Sequence, residues 1–211
     1  MKLYFLNQNG RSMIEMLGVL AIVGILSVGA IAGFQKAMMK HKINKLTEQY
    51  VVFIQDILLK YKEEWRRMHL HNNDQGVYIA PYLETLGLPT GWKRVNVSGN
   101  EIIDSMNNIF SPYTGYKGFA HVGFDLRIQE AEANTQNELC RQFISNVVLP
   151  FKEDIYRMWL YQRSSSKLYW FGTPQCSENR NCLSNMTFQD IEDFCSSCFA
   201  KDENCSIAVY F

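Results

Sequence analysis

Gly10-Arg11-Ser12-Met13-Ile14-Glu15 runs straight into Met16-Leu17-Gly18-Val19-Leu20-Ala21-Ile22-Val23-Gly24-Ile25-Leu26-Ser27-Val28-Gly29-Ala30-Ile31-Ala32-Gly33-Phe34, and no residue from Met16 to Phe34 carries a charge. As a helix this uncharged run spans roughly 28 Å, close to the hydrocarbon thickness of a bilayer. Its one acid, Glu15, stands at the edge. A carboxylate at the centre of a membrane helix costs about 2.5–3.5 kcal/mol, and less near an end. Two readings of Glu15 stand side by side. It rests in the headgroup layer and does little, or it answers a cation. Arg11 lies one helical turn earlier, and a cut after Gly10 would free the Arg11 amine as a second positive charge. An amine–carboxylate pair in a dry helix bundle is worth far more than a surface pair when both charges are matched.

Helical patterning continues past the apolar run. Met39, Ile43, Leu46, Tyr50, Phe53, Ile57, Tyr61, Trp65 and Met68 recur mostly at spacings of three and four, and no Pro or Gly occurs between Gly33 and Gly76. This predicts one helix from about residue 12 to 68, near 85 Å long. Its first half is apolar all round and its second half has one apolar face. That division predicts a membrane or filament-core half and a half packed on a globular domain; a coiled-coil stalk is the competing reading. Lys60, Lys62, Arg66 and Arg67 alternate with Glu63 and Glu64 as a solvated face.

The order Gly10, Ser12-Met13-Ile14-Glu15-Met16-Leu17 and a long apolar helix resembles the prepilin signature of type IV pilins and type II secretion pseudopilins. The resemblance covers about twenty-five residues. It implies that an inner-membrane prepilin peptidase cuts after Gly10 and N-methylates Arg11, and that Glu15 guides subunits into a filament. Arg11 stands where the family usually has an apolar residue. Ala32 stands where type IVa pilins carry a helix-kinking Pro, so the chain looks more like type IVb or minor pilins. The implied partners are like subunits, other pilins, the peptidase and the inner membrane. The implied location is the inner membrane, single-pass with a periplasmic C-terminal domain, then an extracellular filament. The implied organisation is a leader over 1–10, the helix over 11–68 and a pilin-like domain over 69–211.

Residues 1–32 also fit a secretory signal, with Lys2 and Arg11 before an apolar core and Ala30-Ile31-Ala32 as a small-x-small cleavage site. Glu15 and the uninterrupted helical pattern oppose that reading. A further conflict lies in Lys36, Lys40, Lys42 and Lys45, which follow the run while only Lys2 and Arg11 precede it. By charge bias alone the C-terminal domain would be cytoplasmic.

The 211 residues carry a formal net charge of zero, so there is no global basic field for nucleic acid. DNA or surface binding therefore gains nothing from net charge. Aromatics reach 13%, which suits a β-rich, packed domain. All six cysteines (Cys140, Cys176, Cys182, Cys195, Cys198 and Cys205) lie beyond residue 139. An even count behind a membrane segment predicts disulfides in an oxidising compartment. Fifteen pairings stay open; the local expectation is Cys176 with Cys182, and one of Cys195, Cys198 or Cys205 is expected to tie back to Cys140. The rival is a four-sulfur zinc site from Cys182, Cys195, Cys198 and Cys205 in a membrane-anchored cytoplasmic domain, but the spacing is not that of a zinc knuckle.

The remaining chain reads as α+β, a long helix on an antiparallel sheet with short helices. A short helix covers Pro81–Leu86 with Gly87 as its stop. Strands cover Lys93–Val97, Glu101–Asp104, His121–Ile128, Ile155–Gln162 and Leu168–Phe171, and Ser206–Phe211 closes the domain. Thr135 with Glu138 is the expected capping box of a helix over Gln136–Val148, and Thr187 caps a helix through Phe194. His121 has no second ligand at useful spacing. There is no phosphate-binding Gly loop, nucleophile elbow or zinc-protease helix. Glu153-Asp154 and Asp190, Glu192, Asp193 read as solvated faces. The expectation is a structural subunit rather than an enzyme, with no cofactor and no metal.

Overall fold

The structure is a computed structural model and describes residues 13–71, 77–95, 99–114, 122–129, 133–161, 168–199 and 206–211. It divides into two compact units, Met1–His41 and Lys42–Phe211. Helix α1 (Met13–His71) belongs to both.

Within the second unit, α1 buries the predicted stripe. Ile43, Leu46, Tyr50, Phe53, Ile57 and Trp65 are buried, together with Ile54, while Tyr61 and Met68 are half-buried. The stripe packs on one face of a seven-stranded antiparallel sheet. In chain order the strands are β1 (Lys93–Arg94), β2 (Ile102–Ile103), β3 (Ile109–Thr114), β4 (Val122–Arg127), β5 (Arg157–Tyr161), β6 (Tyr169–Phe171) and β7 (Ser206–Tyr210). In space the order is β1-β2-β3-β4-β7-β5-β6. The two-residue period of a strand sends Phe110, Phe124, Leu126, Ile207, Val209, Met158 and Leu160 to the helix side. Tyr50 meets Phe110 at 5.7 Å and Phe143 at 5.3 Å, and Phe53 meets Trp92 at 5.2 Å. Such aromatic pairs add about 0.5–1.5 kcal/mol each beyond area burial.

The C-terminal strand is not an edge. β7 sits between β4 and β5, pairs with both, and is buried along its whole length. The chain end is thereby tied into the middle of the sheet. β3 is an element that the sequence reading does not contain. Pro112 falls inside it, and proline cannot donate to a ladder. The position is tolerated because Pro112 offers its carbonyl to Ile79 N at 3.1 Å, while Thr114 N donates to Val77 O at 2.8 Å. The segment 77–79 thus covers the part of β3 that the two-residue β2 leaves open.

Helix α2 (Ala80–Leu86) packs Tyr82 edge-on to Trp65 and Tyr61 and stops at Gly87, whose φ of 104° only glycine adopts readily. Helix α3 (Ala133–Phe143) begins earlier than expected, so Thr135 lies buried within it and is not its cap. Glu138 does not complete a capping box there. It accepts instead from Arg141 Nη2 at 3.2 Å and Gln142 Nε2 at 3.1 Å. Ahead of Pro150 the helix widens into a π turn over Ile144–Val148, an accommodation to the missing proline N–H. Helix α4 (Phe188–Phe199) has the predicted cap: Thr187 Oγ1 accepts from Asp190 N at 3.2 Å, and Thr187 N donates to Asp190 Oδ2 at 2.8 Å. Its last turn runs past the expected end at Phe194.

Gly172 marks a close crossing. A Cβ there would stand 1.7 Å from the Ile155 carbonyl oxygen, so no other residue fits between β6 and the 152–155 turn.

Candidate functional site

Residues 13–34 are the first candidate site. Met13, Ile14, Leu17, Leu20, Ile22, Ile25, Leu26, Val28 and Phe34 are each more than half exposed. A folded soluble chain seldom leaves an apolar surface of that extent in water. An 18-residue window here reaches a mean hydropathy of 2.4 with none of it buried, and among the described residues this is the one helix long and apolar enough to cross a membrane. Ser27 Oγ donates to Val23 O at 2.7 Å, so this hydroxyl is satisfied within the helix. Helix α1 passes through Ala30-Ile31-Ala32 without a break. A Cβ built on Gly18, Gly24, Gly29 or Gly33 meets nothing within 4 Å. Glu15 lies in the first turn of α1, where the helix dipole favours an anion. Gly10 and Arg11 lie outside the described residues, as does His121.

In the globular unit the disulfides are Cys140–Cys195, joining α3 to α4, and Cys176–Cys182, closing the loop after β6. Of the three partners left open for Cys140, Cys195 is the one found. Cys205 and the side chain of Cys198 lie outside the described residues. Two of the four sulfurs of the zinc alternative, Cys182 and Cys195, are therefore already bonded as disulfides. Arg141 braces the α3–α4 junction with Glu192 at 2.5 Å and Glu138 at 3.2 Å, and the two carboxylates beside it push the guanidinium pKa upward.

Four of the five acids read as solvated faces have structural partners, Glu192 being the Arg141 partner just described. Glu153 accepts from Thr173 Oγ1 at 3.0 Å, Asp190 is the cap partner of Thr187, and Asp193 accepts from Gln189 at 2.9 Å. Two further acids have no counterpart in the sequence reading: Asp104 is buried and Asp125 is half-buried. Asp104, in the turn between β2 and β3, accepts from Tyr50 Oη at 2.8 Å, Met106 N at 2.8 Å, Asn108 N at 2.9 Å and Asn108 Nδ2 at 2.8 Å. Burial raises its pKa against the pull of those donors. It also raises that of Tyr50 well above a free phenol. This set latches α1 to the sheet. On the opposite sheet face, Asp125 accepts from Tyr113 Oη at 3.1 Å, and burial lifts its pKa to about 6, moderated by Tyr113 and Arg127. Asp104 could have been found from the sequence: it opens the run Asp104-Ser105-Met106-Asn107-Asn108, which suits an Asx turn, its carboxylate accepting from the backbone N–H two residues on. Asp125 carries no such signal.

A groove of about 470 Å³ runs between α1 and the 87–90 segment, lined by Gln49, Val52, Phe53, Leu88 and Pro89 with Lys45, Glu48 and Asp56 at its rim. Among the described residues no group of three or more His, Cys, Asp and Glu side chains is arranged to hold a metal. No family model matches the chain, and no curated protein matches it.

Proposed function

We propose that this chain is a structural subunit of a type IV pilus-like filament, a pilin or minor pilin, that acts by assembly rather than catalysis. It is held in the inner membrane by residues 16–34, cut after Gly10 by a prepilin peptidase, and polymerises through the same helix. The observation that carries this reading is a wholly exposed, membrane-length apolar segment on the very helix whose other half is the spine of a disulfide-tied α+β domain. In a filament the apolar halves would pack together in the centre, and the Arg11 amine of one subunit would face Glu15 of another. Taking such a pair out of water repays its desolvation only if both charges are matched, which makes Glu15 a register device. The disulfides support an oxidising, periplasmic location against the charge bias of Lys36 to Lys45.

The test is Glu15→Ala in cells. The expected result is unchanged membrane insertion with loss of filaments. Normal filaments from the variant would overturn the assembly role. Stoichiometry in sheared filaments then separates a major subunit from a minor or tip subunit, or from a pseudopilin of a type II secretion system.

A further inference from the structure

Phe188 is 88% exposed, more than any other large apolar side chain among the described residues. It opens α4, and the fold needs no apolar group there, because the reciprocal Thr187–Asp190 bonds already cap the helix. The same bonds present its ring on a capped helical turn. The groove beside α1 has the opposite shape. Val52, 61% exposed, lines it with Leu88 and Pro89 over the buried ring of Phe53. Gln49 holds the two walls apart: its Nε2 donates to Thr90 O at 3.0 Å, and its Oε1 accepts from Trp92 Nε1 at 3.1 Å. A volume of about 470 Å³ is ample for one aromatic side chain.

A single exposed apolar residue is ordinary on a protein surface. The placement of this knob and this groove within the globular unit is not. Residues 87–90 lead into β1, and the Phe53 floor packs on Trp92 just before that strand. Phe188 follows Cys182 by six residues, and Cys182 bridges to Phe171 of β6. β1 and β6 are the two edges of the seven-stranded sheet, which strand spacing puts roughly 29 Å apart. The knob and the groove of one molecule therefore face different neighbours. A contact between two unlike patches is heterologous, and it repeats from copy to copy as a ring or a helical filament instead of closing as a two-fold dimer.

We propose that the groove between α1 and residues 87–90 receives Phe188 of a second copy of this chain, head to tail. The inference rests on the filament reading and names a contact between globular units within it. One aromatic ring buries about 150–250 Å², far below the roughly 1,200 Å² of a stable pairwise interface. The contact therefore sets the order of subunits that their helices already hold together, where the effective concentration is high.

The test uses the full chain in cells, with Phe188 replaced by the photo-reactive p-benzoylphenylalanine and sheared filaments irradiated. The expected result is a ladder of cross-linked dimers and larger species, with adducts in the dimer band on Val52, Phe53, Leu88 or Pro89. The reciprocal replacement at Val52 is expected to label Phe188. Val52→Glu in the Phe188-labelled chain is expected to abolish the ladder, and it keeps the thermal midpoint of the detergent-extracted chain because position 52 is exposed. Failure to label in both directions overturns the contact. So do adducts confined to other surfaces, to a second position 188 or to a different protein, and so does a ladder that survives Val52→Glu. Each of these leaves the filament reading standing. An unsubstituted chain that yields no filaments overturns that reading, and the contact falls with it.

Discussion

Residues 13–34 and residues 43–65 lie on one helix and are both rich in large apolar side chains, yet the first segment is exposed throughout and the second buries a stripe. The difference is in the pattern. In the second segment charged and polar residues interrupt the apolar ones at helical spacing, so one face fits a sheet and the rest meets water. The first segment has no polar face, so no single partner surface can satisfy it, and only surroundings apolar on every side will do. A bilayer and a bundle of like helices both meet that requirement, as the proposed sequence of anchoring and then assembly needs.

The comparison breaks most sharply on a matched pair of substitutions. Ile54→Lys places an unpaired charge in the core, and a loss above about 4 kcal/mol is expected, enough to unfold the domain. Ile22→Lys is expected to leave the thermal midpoint of the detergent-solubilised chain unchanged and to cost about 3 kcal/mol in membrane insertion. Equal thermal losses from the two would contradict the division. The disulfides grade the globular region itself. By loop-closure entropy, removing Cys140–Cys195, with a separation of 55 residues, should cost about 4 kcal/mol. Removing Cys176–Cys182, with a separation of 6, should cost about 2 kcal/mol by denaturant titration. Neither change should move the chain out of the membrane fraction.

Smaller effects probe how α1 is held on the sheet. Tyr50→Phe keeps the ring contacts and deletes the hydrogen bond to Asp104, for an expected loss of about 1–2 kcal/mol. Asp125 gives a pH signature. Its folded pKa of about 6 lies above the ordinary carboxylate value of 3.8, so the folded state binds the proton more tightly. Its contribution is fully present below pH 3.8 and is lost as pH rises through 6. Asp125→Asn should therefore stabilise the domain at pH 7.5 by about 1–2 kcal/mol after solvent screening, with the gain vanishing below pH 4. A gain that is the same at both pH values would contradict the raised pKa.

The long helix, its stripe, the Thr187 cap and the Cys176–Cys182 pair were legible because each is a local pattern of spacing or capping chemistry. β3 was not, because Pro112 masks a strand whose outer edge is completed by residues 77–79, distant in sequence. The central place of β7 was not legible either, since strand order is set by long-range pairing that no local pattern encodes. Cys140 had three chemically equal candidates, and only the approach of α4 to α3 selects Cys195. Thr135 had the chemistry of a cap, but the helix starts before it. At the candidate site, Glu15 stood out by being an acid against an apolar run, whereas Asp125 sits in a strand where alternation alone would leave it on a solvated face.

The most direct test of the central claim is the mass of the mature N-terminus, measured on protein from the membrane fraction. A chain beginning at Arg11, with or without one added methyl, is the predicted result and fits a helix that anchors first and assembles afterwards. A chain beginning at Gly33 would contradict it, because the apolar half of α1 would then be discarded as a secretory signal and Glu15 would have no place in the working protein.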